Sequence, residues 1–407
     1  DCQMLVHVDH HMIQDGWSFN VFVEELQVLY ISFSERRSSP LPELAIQFSD
    51  FARWQRRWMQ GNEAGKQLAY WKEQLAGCRP LLELPFDYPR PAVQRFQGAV
   101  SRFQLPATLV GQIERRCREE GVTPYMFLLT CLFILIYRHS GQEDICVGSG
   151  MANRRWKETE GLIGMTVNNV VLRACMSGKP HVSQLLTQVR KMVLGAAANQ
   201  DLPFDKVVEA LQPERSLGYN PLFQVLFSIH DSPMSKQQLP GLSSCLDLGL
   251  SNSGAKFDLT VIVIPGSSLR MAPLDEPGPE PMTIIWEYNT DLFDAETAER
   301  MMRHYKKLLG LILALPDQAI TDLPLLDDGE RKQMLYDWNQ TQTDYPREQT
   351  VSELFEEQVS MTPDAVAVEF GSQQLTYSEL NTRANCLAHY LQSRGVGPEV
   401  MVAICTE

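Results

Sequence analysis

The chain has no CxxC spacing among its nine cysteines, which are odd in number and scattered. That pattern suits a reducing cytoplasm. Cys131 and Cys146 sit among apolar neighbours and read as buried spectators, although thiol chemistry stays open at any of the nine. Basic residues are outnumbered: 36 Lys and Arg against 50 Asp and Glu leave a net charge of −14. Such a balance argues against nucleic acid and against an anionic membrane as partners. The doublets Arg36-Arg37 and Arg154-Arg155 accordingly read as solvated or ion-paired. The longest apolar stretch, Tyr125 to Tyr137, contains Thr130 and is too short to span a bilayer, so it predicts a buried helix. No short internal repeat and no secretory leader is visible. The chain opens inside a strand and ends in one, so it reads as a fragment of a much longer polypeptide.

What stands out is His10-His11-Met12-Ile13-Gln14-Asp15-Gly16-Trp17-Ser18. Cys2 to Asp9 before it reads as a short strand with Met4, Val6 and Val8 on one side. After it, Phe19, Phe22, Val23, Leu26, Leu29, Tyr30 and Phe33 recur at helical spacing. The histidines therefore lie on a loop between strand and helix, where a rigid scaffold exposes side chains for chemistry. Neighbouring strand side chains point to opposite faces, so His10 and His11 are expected to meet different surroundings. An imidazole there can accept a proton, donate one, or hold a nucleophile in place. Asp15 can return to the loop and bond an imidazole, an amide or an arginine, and Gly16 leaves room for a ligand or backbone. Two plainer readings stand beside this one. The pair can be a polar turn with half-exposed imidazoles. His11 and Asp15, four apart, can share a cation on a helix, but Gly16 interrupts that helix and no Cys/His/Glu cluster completes a ligand set, so no metal is expected.

This stretch resembles the HHxxxDG signature of condensation domains in nonribosomal peptide synthetases, within the acyltransferase superfamily that includes chloramphenicol acetyltransferase. The resemblance continues in order along the chain. Phe48 to Trp54 is similar to Y-x-D-Y-A-x-W. Ile163 to Asn169 is similar to I-G-x-F-V-N-T, with Thr166 replacing the aromatic and Asn169 the Thr. Asn199 to Asp205 is similar to H/N-Q-D-x-P-F-E, and Asn220 to Phe227 to N-P-L-F-Q-V-x-F. The Arg-Asp-x-Ser-Arg run expected before the last is degraded to Arg215-Ser216-Leu217-Gly218-Tyr219. Ala255 to Thr260 and Glu287 to Phe293 also fit. The resemblance implies that His11 is the reaction-centre residue and that His10 and Asp15 support the loop. Asp15 is expected to pair with an arginine that the sequence does not single out. Gly16 is expected at a close approach near a tunnel, and Trp17 as a packing anchor. Phe51 and Trp54 read as helix packing. Asn168 and Asn169 can line the tunnel or satisfy a strand end; Gln200 and Asp201 can line it or cap a helix starting near Pro203.

The fold implied is α/β: a two-lobed, chloramphenicol-acetyltransferase-like sandwich with its N-terminal lobe truncated, followed by the first part of an adenylation-type domain. Residues 1–40 read as the end of the first lobe, 41–325 as the second, 326–345 as a linker and 346–407 as the adenylation start. Helical patterns cover Asp50 to Met59, Leu109 to Glu119, Thr123 to His139, Val182 to Asn199 and Ala295 to Ala314. Strand patterns cover Val100 to Leu105, Ile145 to Val147, Val167 to Leu172, Gln224 to Ile229, Leu259 to Ile264 and Met282 to Tyr288. Pro273 to Pro281 reads as an exposed loop. Beyond the linker, Thr376 and Glu379 form a capping-box pattern. Leu380, Ala384, Leu387, Ala388 and Leu391 predict a buried stripe, and Gly395 a helix stop. Val400 to Thr406 reads as a strand. The ATP-binding loop of adenylation domains is absent here, so this stretch is not expected to bind ATP.

The activity implied is amide formation between two thioesters carried on the phosphopantetheine of partner carrier domains, an upstream donor and a downstream acceptor. The chain's own adenylation domain is a further partner, and no directly bound cofactor is expected. Among rivals, an epimerisation domain is disfavoured by the adenylation-like segment that follows. A heterocyclisation domain would carry Asp at the position of His10. The runner-up is a catalytically silent recruitment module of the same fold, whose histidine motif would be damaged; here it is intact.

Overall fold

The computed structural model describes residues 6–78, 81–230, 253–266 and 279–405. They divide into two units, Asp1–Asp327 and Asp328–Glu407.

Six strands form the centre of the first unit: β1 (Gly98–Leu105), β2 (Asp144–Met151), β3 (Asn168–Cys175), β4 (Val225–Ile229), β5 (Leu259–Pro265) and β6 (Met282–Asn289). Their order is β1-β6-β5-β4-β2-β3. The sheet is mixed, with β2, β4 and β5 parallel and the outer pairs antiparallel. On β6, Met282, Ile284, Trp286 and Tyr288 are buried while Thr283, Ile285 and Glu287 are only partly covered, the period of two that a pleated strand imposes.

Helices α1 (Gly16–Ser34), α2 (Phe48–Trp58), α3 (Asn62–Gln74), α4 (Ala107–Glu120), α5 (Pro124–Ser140), α6 (Lys157–Glu160), α7 (Val182–Ala198), α8 (Phe204–Leu211) and α9 (Ala295–Ala314) complete the unit. The apolar run expected to be a buried helix is α5. Thr123 caps it, accepting from Met126 N–H at 3.3 Å, Pro124 opens it and Gly141, at φ 69°, ends it. Met126 to Ile136 are all buried, between α7 and α9. Trp286 of β6 meets Tyr305 of α9 with ring centroids 5.8 Å apart, and the Tyr305 hydroxyl donates to the Leu128 carbonyl at 3.0 Å. Among the described residues, no single helix is long and apolar enough to cross a membrane.

Every strand and helix expected between residues 50 and 314 is present within a few residues. Helix α3 was not anticipated. It buries only Ala64, Gln67 and Trp71, a face too polar to stand out as an apolar stripe. Three other expectations need correction. Of the strand expected over Cys2 to Asp9, residues 1–5 lie outside the described residues, and Val6 to Asp9 form no strand; they run beside α1, with His7 stacked on Phe22 at 4.5 Å. Helix α1 forms, but its apolar stripe is buried only in part, with Val23 covered and its later members open. Ser18, Val21, Val23 and Ser32 are buried, whereas Leu26, Tyr30 and Phe33 are 38%, 39% and 58% exposed. The Pro273 to Pro281 loop lies outside the described residues except for its last three.

The second unit contains α10 (Asp328–Leu335), a 3-10 turn (Asp337–Asn339), α11 (Val351–Met361), the hairpin β7 (Val366–Phe370) and β8 (Gln373–Thr376), and α12 (Tyr377–Ser393). The Thr376/Glu379 capping box is formed. Gly395, at φ 87°, ends α12, with Val396 N–H bonded back to the Leu391 carbonyl at 3.1 Å. The stripe on α12 is not buried: Leu387 is 58% exposed, and Ala384 and Ala388 are exposed too. A two-stranded hairpin is too small to cover a helix face. Val400 to Cys405 form no strand.

Gly148 tests the core of the first unit. It pairs with Val171 on β3 and Leu226 on β4, and a Cβ there would lie 2.0 Å from the Phe223 ring, itself 2% exposed. Gly148→Ala is expected to lower unfolding free energy by about 1–3 kcal/mol, the usual cost of overpacking, measured by urea denaturation. An unchanged midpoint would contradict this packing.

Candidate functional site

The antiparallel register of β2 and β3 sets Met151 opposite Asn168. The chain leaving β2 and the chain entering β3 therefore emerge at the same end of the sheet. The first carries Arg154, the second Thr166, and both meet Asp15 at the start of α1. Asp15 is the N-cap of that helix and is 3% exposed. Its Oδ1 accepts from Ser18 N–H at 2.8 Å and lies 2.7 Å from Ser18 Oγ and 3.1 Å from an Arg154 terminal nitrogen. Its Oδ2 accepts from Thr166 N–H at 3.0 Å and Val167 N–H at 3.3 Å, with Thr166 Oγ1 also at 3.0 Å. Arg154 is thus the arginine that the sequence left unidentified. Its side chain is 1% exposed and also donates to the carbonyls of Thr159 at 2.6 Å and Leu162 at 2.7 Å. Ser18 Oγ completes the knot, accepting from Arg154 at 2.8 Å and from Gly164 N–H at 3.0 Å.

Burial alone would raise the Asp15 pKa. The bonds from Ser18, the Arg154 charge and the Thr166 amide outweigh it and hold the carboxyl below the ordinary aspartate value. Trp17 anchors the same turn, its indole N–H donating to the Glu160 carbonyl at 2.9 Å. Gly16 makes no close approach: a Cβ there would meet nothing within 4 Å, because the residue is the first of the helix and faces outward.

His10 and His11 occupy a turn closed by Ile13 N–H on the His10 carbonyl at 2.9 Å, and both are exposed. His11 Nδ1 lies 2.8 Å from the Gln14 carbonyl oxygen. A carbonyl can only accept, so Nδ1 carries a proton, and in the neutral ring Nε2 holds the lone pair. His10 is set the other way: its Nδ1 accepts from Met12 N–H at 3.1 Å, which leaves the proton of the neutral ring on Nε2. The two rings do meet different surroundings, through opposite tautomers on a turn rather than opposite faces of a strand.

Asn168 and Asn169 line a cleft of about 260 Å³ with Gln55, Met165, Thr166, Val167, Pro203, Phe204 and Asp205. His10, His11, Trp17, Gln200 and Asp201 are not among its lining residues. Asn168 uses its whole amide to shape the far wall. Nδ2 donates to the carbonyls of Gln200 and Leu202, both at 2.7 Å, and Oδ1 accepts from Phe204 N–H at 3.0 Å. The expected cap at α8 is therefore supplied by Asn168 across the chain; the N-cap residue is Pro203, and neither Gln200 nor Asp201 caps the helix. Asp201 is instead held by Gln67 of α3 at 2.9 Å and Arg155 at 2.8 Å. Gln67 also accepts from Leu202 N–H at 3.0 Å, and Trp71 donates to the Asn199 carbonyl at 2.9 Å. Both arginines of the Arg154-Arg155 doublet are ion-paired. Asp50 of α2 caps its own helix through the Gln47 amide at 3.0 Å. Phe51 is buried, while Trp54 is 37% exposed and packs edge-on against Trp156 at 4.5 Å. No group of three or more potential metal-ligating side chains occurs among the described residues.

Residues 2–335 match the family model of the condensation domain, and residues 355–407 match that of AMP-binding enzymes. The chain belongs to the condensation-domain family. It is 44% identical over 405 residues to a component of the linear gramicidin synthase of Brevibacillus parabrevis, a match covering 99% of this chain and 8% of that protein. The chain thus spans less than a tenth of that relative. Among solved structures, the X-domain from teicoplanin biosynthesis superposes with a TM-score of 0.70 at 24% identity, covering 78% of this chain and 70% of that one. A four-domain nonribosomal peptide synthetase bound to AMP and glycine gives 0.70 at 21% identity, covering 95% and 29%. At these identities the structural likeness is one of fold. The mixed sheet of this condensation domain is that fold, and the Asp15 knot lies inside its HHxxxDG loop.

Asp15→Asn is expected to destabilise the first unit by about 3 kcal/mol, because Arg154 would stay buried without its counter-charge. The sign of the acid response follows from the depressed carboxyl. Its contribution is fully present above the ordinary aspartate value and is lost as pH falls through the lower value of the folded state. Urea titrations across that window should show wild-type stability declining on acidification and the Asn variant lacking that part of the decline. Asn168→Ala is expected to cost about 2 kcal/mol by stranding the groups it bonds; a change under a few tenths would show the clamp to be unimportant.

Proposed function

We propose that the condensation domain joins two thioesters, each carried on the phosphopantetheine arm of a partner carrier domain, with His11 beside the incoming amine. The acceptor's α-amine attacks the donor's thioester carbonyl, a tetrahedral intermediate forms, the thiolate leaves and an amide remains. A free α-amine titrates near ~8, so part of it is neutral at physiological pH without a strong base. His11 then has two tasks: to hold the amine through the Nε2 lone pair, and to take the proton that the nitrogen sheds as the bond forms. That proton passes on to the departing thiolate, so the histidine ends neutral.

The observation that carries this reading is the fixed tautomer of His11. With Nδ1–H committed to Gln14, the basic nitrogen is the one left outward. Asp15, one residue after Gln14, bonds the segments after β2 and before β3, which supports a role in geometry rather than in proton transfer. His10 supports the turn through Met12. We assign residues 1–40 and 41–325 to the two parts of the condensation domain, 326–345 to a linker and 346–407 to the start of the adenylation domain that would load the acceptor carrier. The 44% identity to part of a gramicidin synthase along nearly the whole chain supports that arrangement.

His11→Ala in the parent synthetase, with both carriers loaded, is expected to reduce amide formation by roughly 10²–10⁴-fold, the value of a positioned acid/base, with thermal unfolding unchanged. Near-normal condensation by that variant would refute the role. In the runner-up reading the domain recruits a partner protein and turns nothing over. The wild type would then form no amide with loaded carriers, and the substitution would be silent.

A further inference from the structure

The cleft of about 260 Å³ at the start of β3 is lined in part by groups that are already committed. Asn168 spends its whole amide on the turn before α8. The Thr166 hydroxyl lies 3.0 Å from Asp15 Oδ2 and 3.0 Å from the Ala152 carbonyl oxygen. Three other lining side chains are uncommitted. Gln55 of α2, Asn169 of β3 and Asp205 in the first turn of α8 make no side-chain hydrogen bond and no ion pair among the described residues. The cation next to Asp205 in the chain, Lys206, is held by Glu209 at 2.7 Å. Each of the three uncommitted groups can accept a hydrogen bond, and Asp205 adds a negative charge. No lining residue is a cation, and the remaining ones, Met165, Val167, Pro203 and Phe204, are apolar.

We propose that this cleft seats the side chain of an aminoacyl substrate, an aliphatic stem ending in an ammonium, with Asp205 as its counter-charge. The inference rests on the condensation reading and adds a side-chain preference to it. Size sets the first limit. Pockets for drug-sized ligands run roughly 300–1,000 Å³, so about 260 Å³ suits one side chain rather than a cofactor. Chemistry sets the second. An ammonium offers three donors and no acceptor, which matches three groups that accept. A carboxylate would meet Asp205 with like charge. A hydrocarbon chain of equal length would displace water from the three polar groups and give them no bond in return. The apolar lining is left to the methylene stem. Position sets the third. Thr166 and Val167 line the cleft, and their amides bond Asp15 at 3.0 Å and 3.3 Å. The cleft therefore shares a wall with the anchor of the histidine loop. Either aminoacyl group, donor or acceptor, can carry such a side chain, and the two are separated by experiment.

The first arm of the test titrates the full chain with n-butylammonium, butyramide and butyrate, one at a time, and follows the NMR shifts of the Thr166, Val167 and Phe204 amides. Butylammonium is expected to bind about threefold to fivefold more tightly than butyramide, the reach of an exposed ion pair, and butyrate not to bind. Added salt should narrow that preference. Asp205→Asn should erase it while leaving butyramide binding in place, and Asn169→Ala should weaken both ligands alike. Equal binding of cation and anion, a cation preference that survives Asp205→Asn, or no shift at these amides would overturn the proposal. The second arm uses the parent synthetase with a lysyl or a norleucyl group on the donor carrier, then on the acceptor carrier. Faster amide formation from lysyl at one carrier, lost in Asp205→Asn, is expected and identifies which substrate fills the cleft. Equal rates at both carriers would sink this inference and leave the condensation reading standing. No amide from any pairing would sink that reading, and this inference with it.

Discussion

The carboxylate of Asp15 is the constraint on which the histidine loop depends. Removing a carboxylate and a guanidinium from water costs several kcal/mol each, and their attraction alone rarely offsets it. Here the balance is met because both carboxylate oxygens are taken by donors from three separate segments: Ser18 at the helix start, Arg154 after β2 and Thr166 and Val167 before β3. One group caps a helix, neutralises a buried cation and ties α1 to the sheet. The Arg154 ε-nitrogen has no partner among the described residues, so even this knot carries one unmet donor. Ser18 faces inward to reach Gly164 and Arg154.

The same anchoring explains how two adjacent histidines come to differ. The turn at His10 to Ile13 is short enough that each ring finds a backbone partner within the loop, a carbonyl for His11 and an amide for His10. Opposite partners impose opposite tautomers. The loop that carries both rings is itself held to the sheet at Asp15.

Much of this was legible in the amino-acid sequence where a regular period or a local cap governs. The apolar run of α5, the strand alternation of β6 and the Thr376/Glu379 box are short-range patterns, and they form as read. The site was legible as a motif and not as a geometry. An aspartate before Gly-Trp-Ser announces a helix cap, but nothing local marks Arg154, 139 residues away, as its partner. Thr166 replaces an aromatic of the family pattern, and its role became visible only when its amide and hydroxyl reached Asp15. Gln67 and Trp71 on α3 lie at helical spacing with Ala64, but a glutamine on a buried helix face reads as surface. The burial expected for the α12 stripe failed for a related reason: periodicity says which face wants a partner, not whether one is present.

The cleft wall is built differently from the core beneath it. Between the sheet and α5 the contacts are close-packed apolar side chains, which carry no directed bonds. The wall at residues 199–204 is held by directed bonds from Asn168, Gln67, Trp71 and Arg155, reaching from three elements to one turn. Each such bond is worth little net in folding, but each buried group left without its partner costs more than the bond gave. The turn is therefore stable in one arrangement and poor in its neighbours, which is what a surface of fixed shape requires. Asp201 shows how tightly this is drawn: its Oδ2 is shared by Gln67 and Arg155, while Oδ1 is buried with no partner among the described residues.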